Sequence, residues 1–319
     1  MKQKILICGA TGFIGRNMLE SFIKNDNYEI RATWHKPTDL TEVYRDGVEW
    51  VQADLTKSWD VKNAFYGGVD IVLQYAAVTT GVKDVINRPY IHVTDNAIMN
   101  SLLLREAFEQ KVKHFIFPSC TVMYQSGDIP VKESDFNESE ELYSKYYGGG
   151  NTKVYIEKMC KFYSTLGETK FTVLRQSNIY GPYDKFSLEI GHVFAATIVK
   201  VVQANDSIDV WGTGKEERDL LYVSDLVNSV QSVLENQTSK FELVNVGCGK
   251  SISVLDLVKK IVDISGKKLS INYDKDKPSV DTKLAVNIDK IKRLFNWSPD
   301  ITLETGIKNT LKWYRENRV

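Results

Sequence analysis

The chain has 319 residues, 43% hydrophobic and 26% charged, ordinary proportions for a globular protein of roughly two domains. Its 41 basic residues balance 41 acidic ones, which argues against a general nucleic-acid binder and leaves room for a small anion held by a few local donors. Cys8, Cys120, Cys160 and Cys248 form no CxxC pair, and no apolar run reaches the roughly eighteen residues of a membrane span, so a cytoplasmic protein with reduced thiols and no metal centre is expected. Lys4–Cys8 reads as a buried strand, followed by apolar residues at helical spacing over Ile14–Ile23. Tyr28–Thr33, Val48–Gln52 and Val69–Tyr75 are further strands, and Thr94–Gln110 is a helix. Then come strand His114–Pro118, a long helix over Thr152–Leu166 and strand Phe171–Leu174. The alternation predicts βαβ units around a parallel sheet, with strands buried on both faces because their apolar runs do not alternate. Later signals are less regular. Pro182–Gly191 reads as a loop, His192–Gln203 as a helix and Ile208–Trp211 as a strand. Ser224–Leu234 is a helix that Ser224 is placed to cap, and Phe241–Val246 is a strand. Ser253–Ile264 opens with a capping-box pattern, and Asp289–Phe295 and Leu303–Asn317 close the chain as helices.

Gly9-Ala-Thr11-Gly12-Phe13-Ile14-Gly15 falls between the first strand and the first helix. Glycines there permit a tight turn and let the backbone approach a pyrophosphate seated on the helix N-terminus. This predicts a doubly wound α/β (Rossmann) sheet over residues 1–177, with about 220–248 added. Residues 178–219 and 249–319 are expected to form a smaller mixed α/β substrate domain. The second strand ends in Trp34-His35-Lys36, without the acid that would bind a ribose 2′-hydroxyl. His35, Lys36 or Arg16 is suited to a 2′-phosphate instead, so NADP is favoured and NAD is the alternative. Asp54 and Leu55 are placed for the adenine edge, and Ala76 and Ala77 leave room for the cofactor backbone.

With these residues in view, the chain resembles the extended short-chain dehydrogenase/reductases that modify nucleotide sugars. The resemblance rests on GATGFIG, Asp54-Leu55, Ala76-Ala77, Asn96, FPSCTVMY, Lys153, LRQSNIYGP, WGTGKEERDLLYVSDL, NVGCGKSISVLDL and NIDKIKRLFNWSP, and spans essentially the whole length. The segment NIYGPYDKFSLEIGH is most similar to the GDP-fucose synthase branch. The resemblance implies a nucleoside-diphosphate sugar, GDP-linked, as substrate. It also implies a homodimer through a four-helix bundle built on Thr94–Gln110 and Thr152–Leu166, and a place in polysaccharide biosynthesis. Asn178, Trp211 and Arg218, with Thr79 and Val193, are the substrate-binding positions it implies; arginine offers phosphate a planar bidentate fork.

The catalytic signature departs from the pattern. The family implies a Tyr-x-x-x-Lys pair whose lysine holds the nicotinamide ribose and whose tyrosine exchanges a proton with the sugar. Lys153 fits the lysine, but the tyrosine position is Gly149, inside Gly148-Gly149-Gly150. Tyr146 and Tyr147 stand just upstream, and Tyr147 is the candidate replacement. Tyr273 and Lys277 share the spacing but lie off the expected helix. The assisting Ser/Thr position falls on Cys120, with Thr121 beside it, and Val122 stands where the GDP-fucose synthase branch has its cysteine. His192 matches that branch's proton-transferring histidine. The expected activity is NAD(P)-dependent oxidation or reduction at C4 of the sugar. The alternatives are a nucleotide-sugar epimerase working through Cys120 and His192, and a non-catalytic nucleotide-sugar or cofactor-binding protein.

Overall fold

The computed structural model describes residues 2–36, 43–79, 87–274 and 282–318. Seven parallel strands form the main sheet: β1 (Gln3–Cys8), β2 (Tyr28–Trp34), β3 (Val48–Gln52), β4 (Ile71–Gln74), β5 (His114–Ser119), β6 (Lys170–Gln176) and β10 (Phe241–Val246). Their order is β10-β6-β5-β4-β1-β2-β3, so the strand order reverses between β1 and β4. In open α/β sheets a ligand lies outside the carboxyl ends of the strands at that reversal.

β1 explains the missing alternation. Ile5 and Ile7 point into one core and Leu6 and Cys8 into the other, all four wholly buried. One face is covered by α1 (Phe13–Phe22), by α6 (Val223–Asn236) and by α8 (Asp289–Phe295). The other is covered by α2 (Ser58–Phe65), α3 (Thr94–Glu109) and α4 (Tyr147–Ser164). Ile291, Phe295 and Trp297, far along the chain, therefore pack with Met18, Leu19 and Phe22 in the core of the first sheet.

A second lobe holds α5 (Val193–Gln203), α7 (Val254–Ser265) and α9 (Leu303–Arg318) around their own core. Its strands are short. β9 (Glu217–Tyr222) pairs with β7 (Asn178–Tyr180), β11 (Ser251–Ser253) and β13 (Lys283–Leu284), while β8 (Ser207–Trp211) pairs with β12 (Ser270–Asp274). Ser253 caps α7, its Oγ accepting the Asp256 amide at 3.0 Å and donating to the Asp256 carboxylate at 2.8 Å. Ser224 caps nothing: β9 runs straight into α6, so the N-cap residue is Tyr222 and Ser224 lies inside the first turn.

The long helix begins at Tyr147, five residues before the expected start, and its first turn contains the three glycines. Glycine is a poor helix former, but at two of the three positions close packing selects it. A Cβ on Gly148 would lie 2.9 Å from Val93 Cγ2, and one on Gly150 2.9 Å from Leu142 Cδ1. No helix among the described residues is long and apolar enough to cross a membrane, and no group of three metal-ligating side chains occurs among them.

Candidate functional site

The glycine turn forms at the carboxyl end of β1. Gly9 has a left-handed φ of +70°, and its amide donates to Thr33 Oγ1 at 3.0 Å. A Cβ on Gly9 would lie 2.7 Å from the Ala76 backbone, and one on Gly15 would lie 2.1 Å from the Gly9 carbonyl oxygen. Gly12 is the N-cap of α1; no side chain caps that terminus and no acid stands in its first turn. The amides and the dipole of α1 therefore point into a cradle shaped for an anion. Thr11, Phe13 and Ile14 line the turn and none is fully buried. A dinucleotide diphosphate fits this cradle.

His35 and Lys36 are exposed at the end of β2. Arg16 is engaged elsewhere, its guanidinium stacked 3.9 Å from the Tyr183 ring centroid. Asp54 is partly buried; its carboxylate accepts from the Thr56 hydroxyl at 2.6 Å, which holds its pKa below the ordinary value. Leu55 is buried in the second core. Ala76 exchanges backbone hydrogen bonds with the buried Gln74 side chain, and Ala77 beside it is exposed.

Beyond β5 the chain presents Cys120 and Thr121, half-buried and buried respectively. Lys153 projects from α4 over the Phe117 ring and donates to the Pro118 carbonyl at 2.7 Å. Burial holds its pKa below the ordinary lysine value, opposed by the nearby Cys120 thiol and Glu157 carboxylate. Burial likewise pushes the Cys120 thiol up, against the pull of the Lys153 charge, so the sulfur keeps its proton at neutral pH. Tyr147, the candidate replacement phenol, is 58% exposed on the outer surface. Its neighbour Tyr146 is the one turned inward. Burial raises the Tyr146 phenol while the Arg218 charge lowers it, and Cys120 also lies within its electrostatic reach.

The second lobe contributes the remaining positions. Arg218 on β9 donates to the Thr282 carbonyl at 2.9 Å and hydroxyl at 2.7 Å. Asn178 on β7 donates to the Asp219 carbonyl at 3.2 Å. Trp211 ends β8, with Lys200 Nζ 5.3 Å from its ring. His192 is the N-cap of α5 and Val193 its first residue. His192 is exposed at the start of α5, yet desolvation by its neighbours, with the Lys185 charge, lowers its pKa. Tyr273 lies on β12, and Lys277 is outside the described residues.

Several charged groups near these positions carry no motif. Lys185 crosses from the 182–191 loop to donate to Thr79 at its carbonyl (2.7 Å) and hydroxyl (3.0 Å). Burial raises the adjacent Asp184 carboxyl to about 7. Glu157 and Arg175 form a buried ion pair at 2.6 Å, and Arg175 also donates to Tyr124 at 3.0 Å. The one signal for Glu157 is its spacing: four residues after Lys153 it shares that face of the helix.

The glycine cradle at the strand-order reversal of a doubly wound parallel sheet, with Lys153 beyond β5, is the arrangement of a dinucleotide-dependent α/β enzyme. Residues 5–247 match the NAD dependent epimerase/dehydratase family, and the chain belongs to that family. It is 26% identical to the GDP-L-colitose synthase of Yersinia pseudotuberculosis over 98% of both chains. It is also 26% identical to the GDP-L-fucose synthase of Azorhizobium caulinodans over 98% of this chain and 96% of that one. With the dTDP-D-glucose 4,6-dehydratase of Bos taurus the identity is again 26%, over 99% and 89%. The fold superposes on a UDP-glucose 4-epimerase of Thermotoga maritima with a TM-score of 0.88 at 24% identity, over 98% and 99% of the two chains.

Proposed function

We propose that this enzyme oxidises or reduces C4 of a GDP-linked sugar with NADP as cofactor. The observation that carries this reading is that Cys120 lies within electrostatic reach of both Lys153 and Tyr146, and Tyr146 in turn within reach of Arg218 from the second lobe. Two relatives named for GDP-linked sugars, matched nearly end to end, favour a GDP substrate over the dTDP and UDP alternatives. The exposed His35 and Lys36, with no acid at the end of β2, favour the 2′-phosphate.

When bound, the nicotinamide supplies or accepts hydride. The amides of the Gly12–Gly15 turn would hold the diphosphate, and Lys153 the nicotinamide ribose. Thr121 and Cys120 would donate hydrogen bonds to the C4 oxygen. Arg218 would clamp the sugar diphosphate and Trp211 would stack on the base. The test is to mix the purified protein with NADPH or NADH and a panel of GDP- and dTDP-4-keto sugars and follow absorbance of the reduced nicotinamide. NADPH oxidation with a GDP-4-keto sugar, at least tenfold faster than with NADH, is expected. No oxidation with any pair overturns the redox reading.

A second reading, stereochemical inversion without net redox, is favoured by one observation. Burial pushes the Cys120 thiol up and desolvation lowers the His192 imidazole, which suits the one to act as an acid and the other as a base. A changed sugar product with unchanged nicotinamide absorbance would select it.

We also infer a homodimer. Ile98 on α3 and Tyr155 and Phe162 on α4 leave 41%, 43% and 51% of their surfaces exposed, and the Ser101 and Tyr155 hydroxyls meet at 3.2 Å between the helices. Two such faces would make a four-helix bundle. Introducing Tyr155→Glu and Phe162→Glu together is expected to halve the mass measured by light scattering; an unchanged mass would sink the dimer.

A further inference from the structure

β9 is the strand at which the two lobes meet. Side chains alternate along it, so Leu221 is buried in the core of the first sheet and Leu220 in the core of the second lobe. Asp219 shares the face of Leu221, and Arg218 that of Leu220. Adjacent residues of one strand therefore face different lobes.

Asp219 is only 1% exposed, and backbone amides meet its carboxylate. Oδ1 accepts the Cys248 amide at 2.7 Å, and Oδ2 accepts those of Gly249 at 3.1 Å and Val286 at 3.2 Å. Cys248 and Gly249 follow β10, the edge strand of the first sheet, and Val286 packs in the core of that sheet. Gly247 makes the room: a Cβ there would lie 2.8 Å from Asp219 Oδ2 and 2.4 Å from Val286 Cγ2. Burial pushes the Asp219 carboxyl up, and the amides of Cys248, Val286 and Gly249 draw it back. An asparagine in its place would turn an NH2 toward at least one of these N–H groups, donor against donor.

The backbone of the same strand carries Arg218. Its guanidinium is held on the Thr282 carbonyl and hydroxyl, and Thr282 leads into β13, which pairs with β9 and runs on to Val286. Asn178 braces the strand from β7 through the Asp219 carbonyl. The charge of Arg218 reaches Tyr146 of the first lobe. A shift of β9 against β10 would carry the guanidinium with it and leave the glycine turn where it is.

Resting on the nucleotide-sugar reading above, we propose that Asp219 is the positioning residue for the substrate diphosphate: its carboxylate fastens β9 to the first lobe and so fixes where Arg218 stands. An arginine fork repays its desolvation only where its alignment is set before the anion arrives. Loss of the carboxylate therefore weakens the substrate nucleotide and spares the dinucleotide.

The test titrates the full-length protein calorimetrically with GDP, UDP and dTDP and takes the tightest forward. Asp219→Asn is expected to raise its Kd at least about tenfold, the loss of a well-made charged contact, with NADPH affinity within about threefold. Gly247→Ala drives a methyl onto the same carboxylate and should reproduce that loss, and it replaces Asp219→Asn if that variant does not fold. Arg218→Ala is expected to lose at least as much. The double variant Asp219→Asn, Arg218→Ala should bind within about threefold of Arg218→Ala alone, because one residue acts through the other. Ile261→Ala, in the core of the second lobe, is the control: its melting temperature should fall while its nucleotide Kd stays within about threefold. If Arg218→Ala weakens binding and Asp219→Asn does not, if the two effects multiply, or if Ile261→Ala loses as much affinity as Asp219→Asn, the role of Asp219 is overturned while the nucleotide-sugar reading stands. If no nucleotide binds the wild type, or Arg218→Ala binds as the wild type does, the reading of Arg218 fails and the proposal with it.

Discussion

Glu157→Gln or Arg175→Met is expected to destabilise the protein by roughly 3–5 kcal/mol, the cost of leaving one half of a buried ion pair without its partner. Both side chains are only 4% exposed. Arg175 reaches Glu157 from β6 through Nη2 at 2.6 Å and Nε at 3.1 and 3.2 Å, and Ser119 on β5 donates to the same carboxylate. The chain of bonds continues through Tyr124, which donates to Asn245 at 2.7 Å, and from Asn245 to the carbonyls of Val131 and Asn287. Burial raises the Tyr124 phenol to about 12, so it remains a donor throughout the accessible pH range. Removing both charges together, as Glu157→Gln with Arg175→Met, should cost much less than the two single changes added, because no uncompensated charge stays in the core. Urea unfolding of the four proteins measures this cycle. Single variants within about 1 kcal/mol of the wild type would show that the pair does not hold α4 to the sheet. Lys153 lies one turn from Glu157, so the single variants should also lose activity under conditions in which they remain folded.

Gly15→Ala is expected to abolish dinucleotide binding, with a loss of at least a hundredfold in affinity. Its Cβ would sit 2.1 Å from the Gly9 carbonyl oxygen and 2.8 Å from the carbonyl carbon, and neither is a flexible tip that can swing aside. The backbone must open, and opening moves the amides that face the diphosphate. Overpacking of this kind also costs about 1–3 kcal/mol of stability. Gly12→Ala is the control in the same turn, since its Cβ would come no nearer than 3.3 Å to the Gly9 oxygen. Titration of each variant with NADPH and NADH, followed by nicotinamide fluorescence, should separate them. Equal affinities for the two variants would refute the steric account.

The seven-stranded sheet was legible because its signals are local. Strands buried on both faces appear as apolar runs such as Ile5–Cys8, and the helices between them carry a 3.6-residue period. Elements without a local signal escaped. β7, β11 and β13 are two or three residues long and exist because β9 offers them backbone partners. α2 is short and mixes polar residues through SWDVKNAF, so its periodicity is weak. Glu157 and Arg175 read as ordinary charges on a helix and a strand, and only their burial against one another marks them.

The amino-acid sequence by itself determined the sheet, the glycine turn and the absence of a tyrosine at position 149, because each depends on residue type at fixed spacing along the chain. The tertiary structure decided what stands around that glycine. Tyr146 and Tyr147 are adjacent and chemically identical, but α4 begins between them and turns one toward Cys120 and the other to solvent. His92 lies far from Gly149 in the chain, yet the turn before α3 packs it beside the start of α4. Side-chain chemistry is written residue by residue, whereas its direction and its neighbours are set by helix phase and by packing between distant segments.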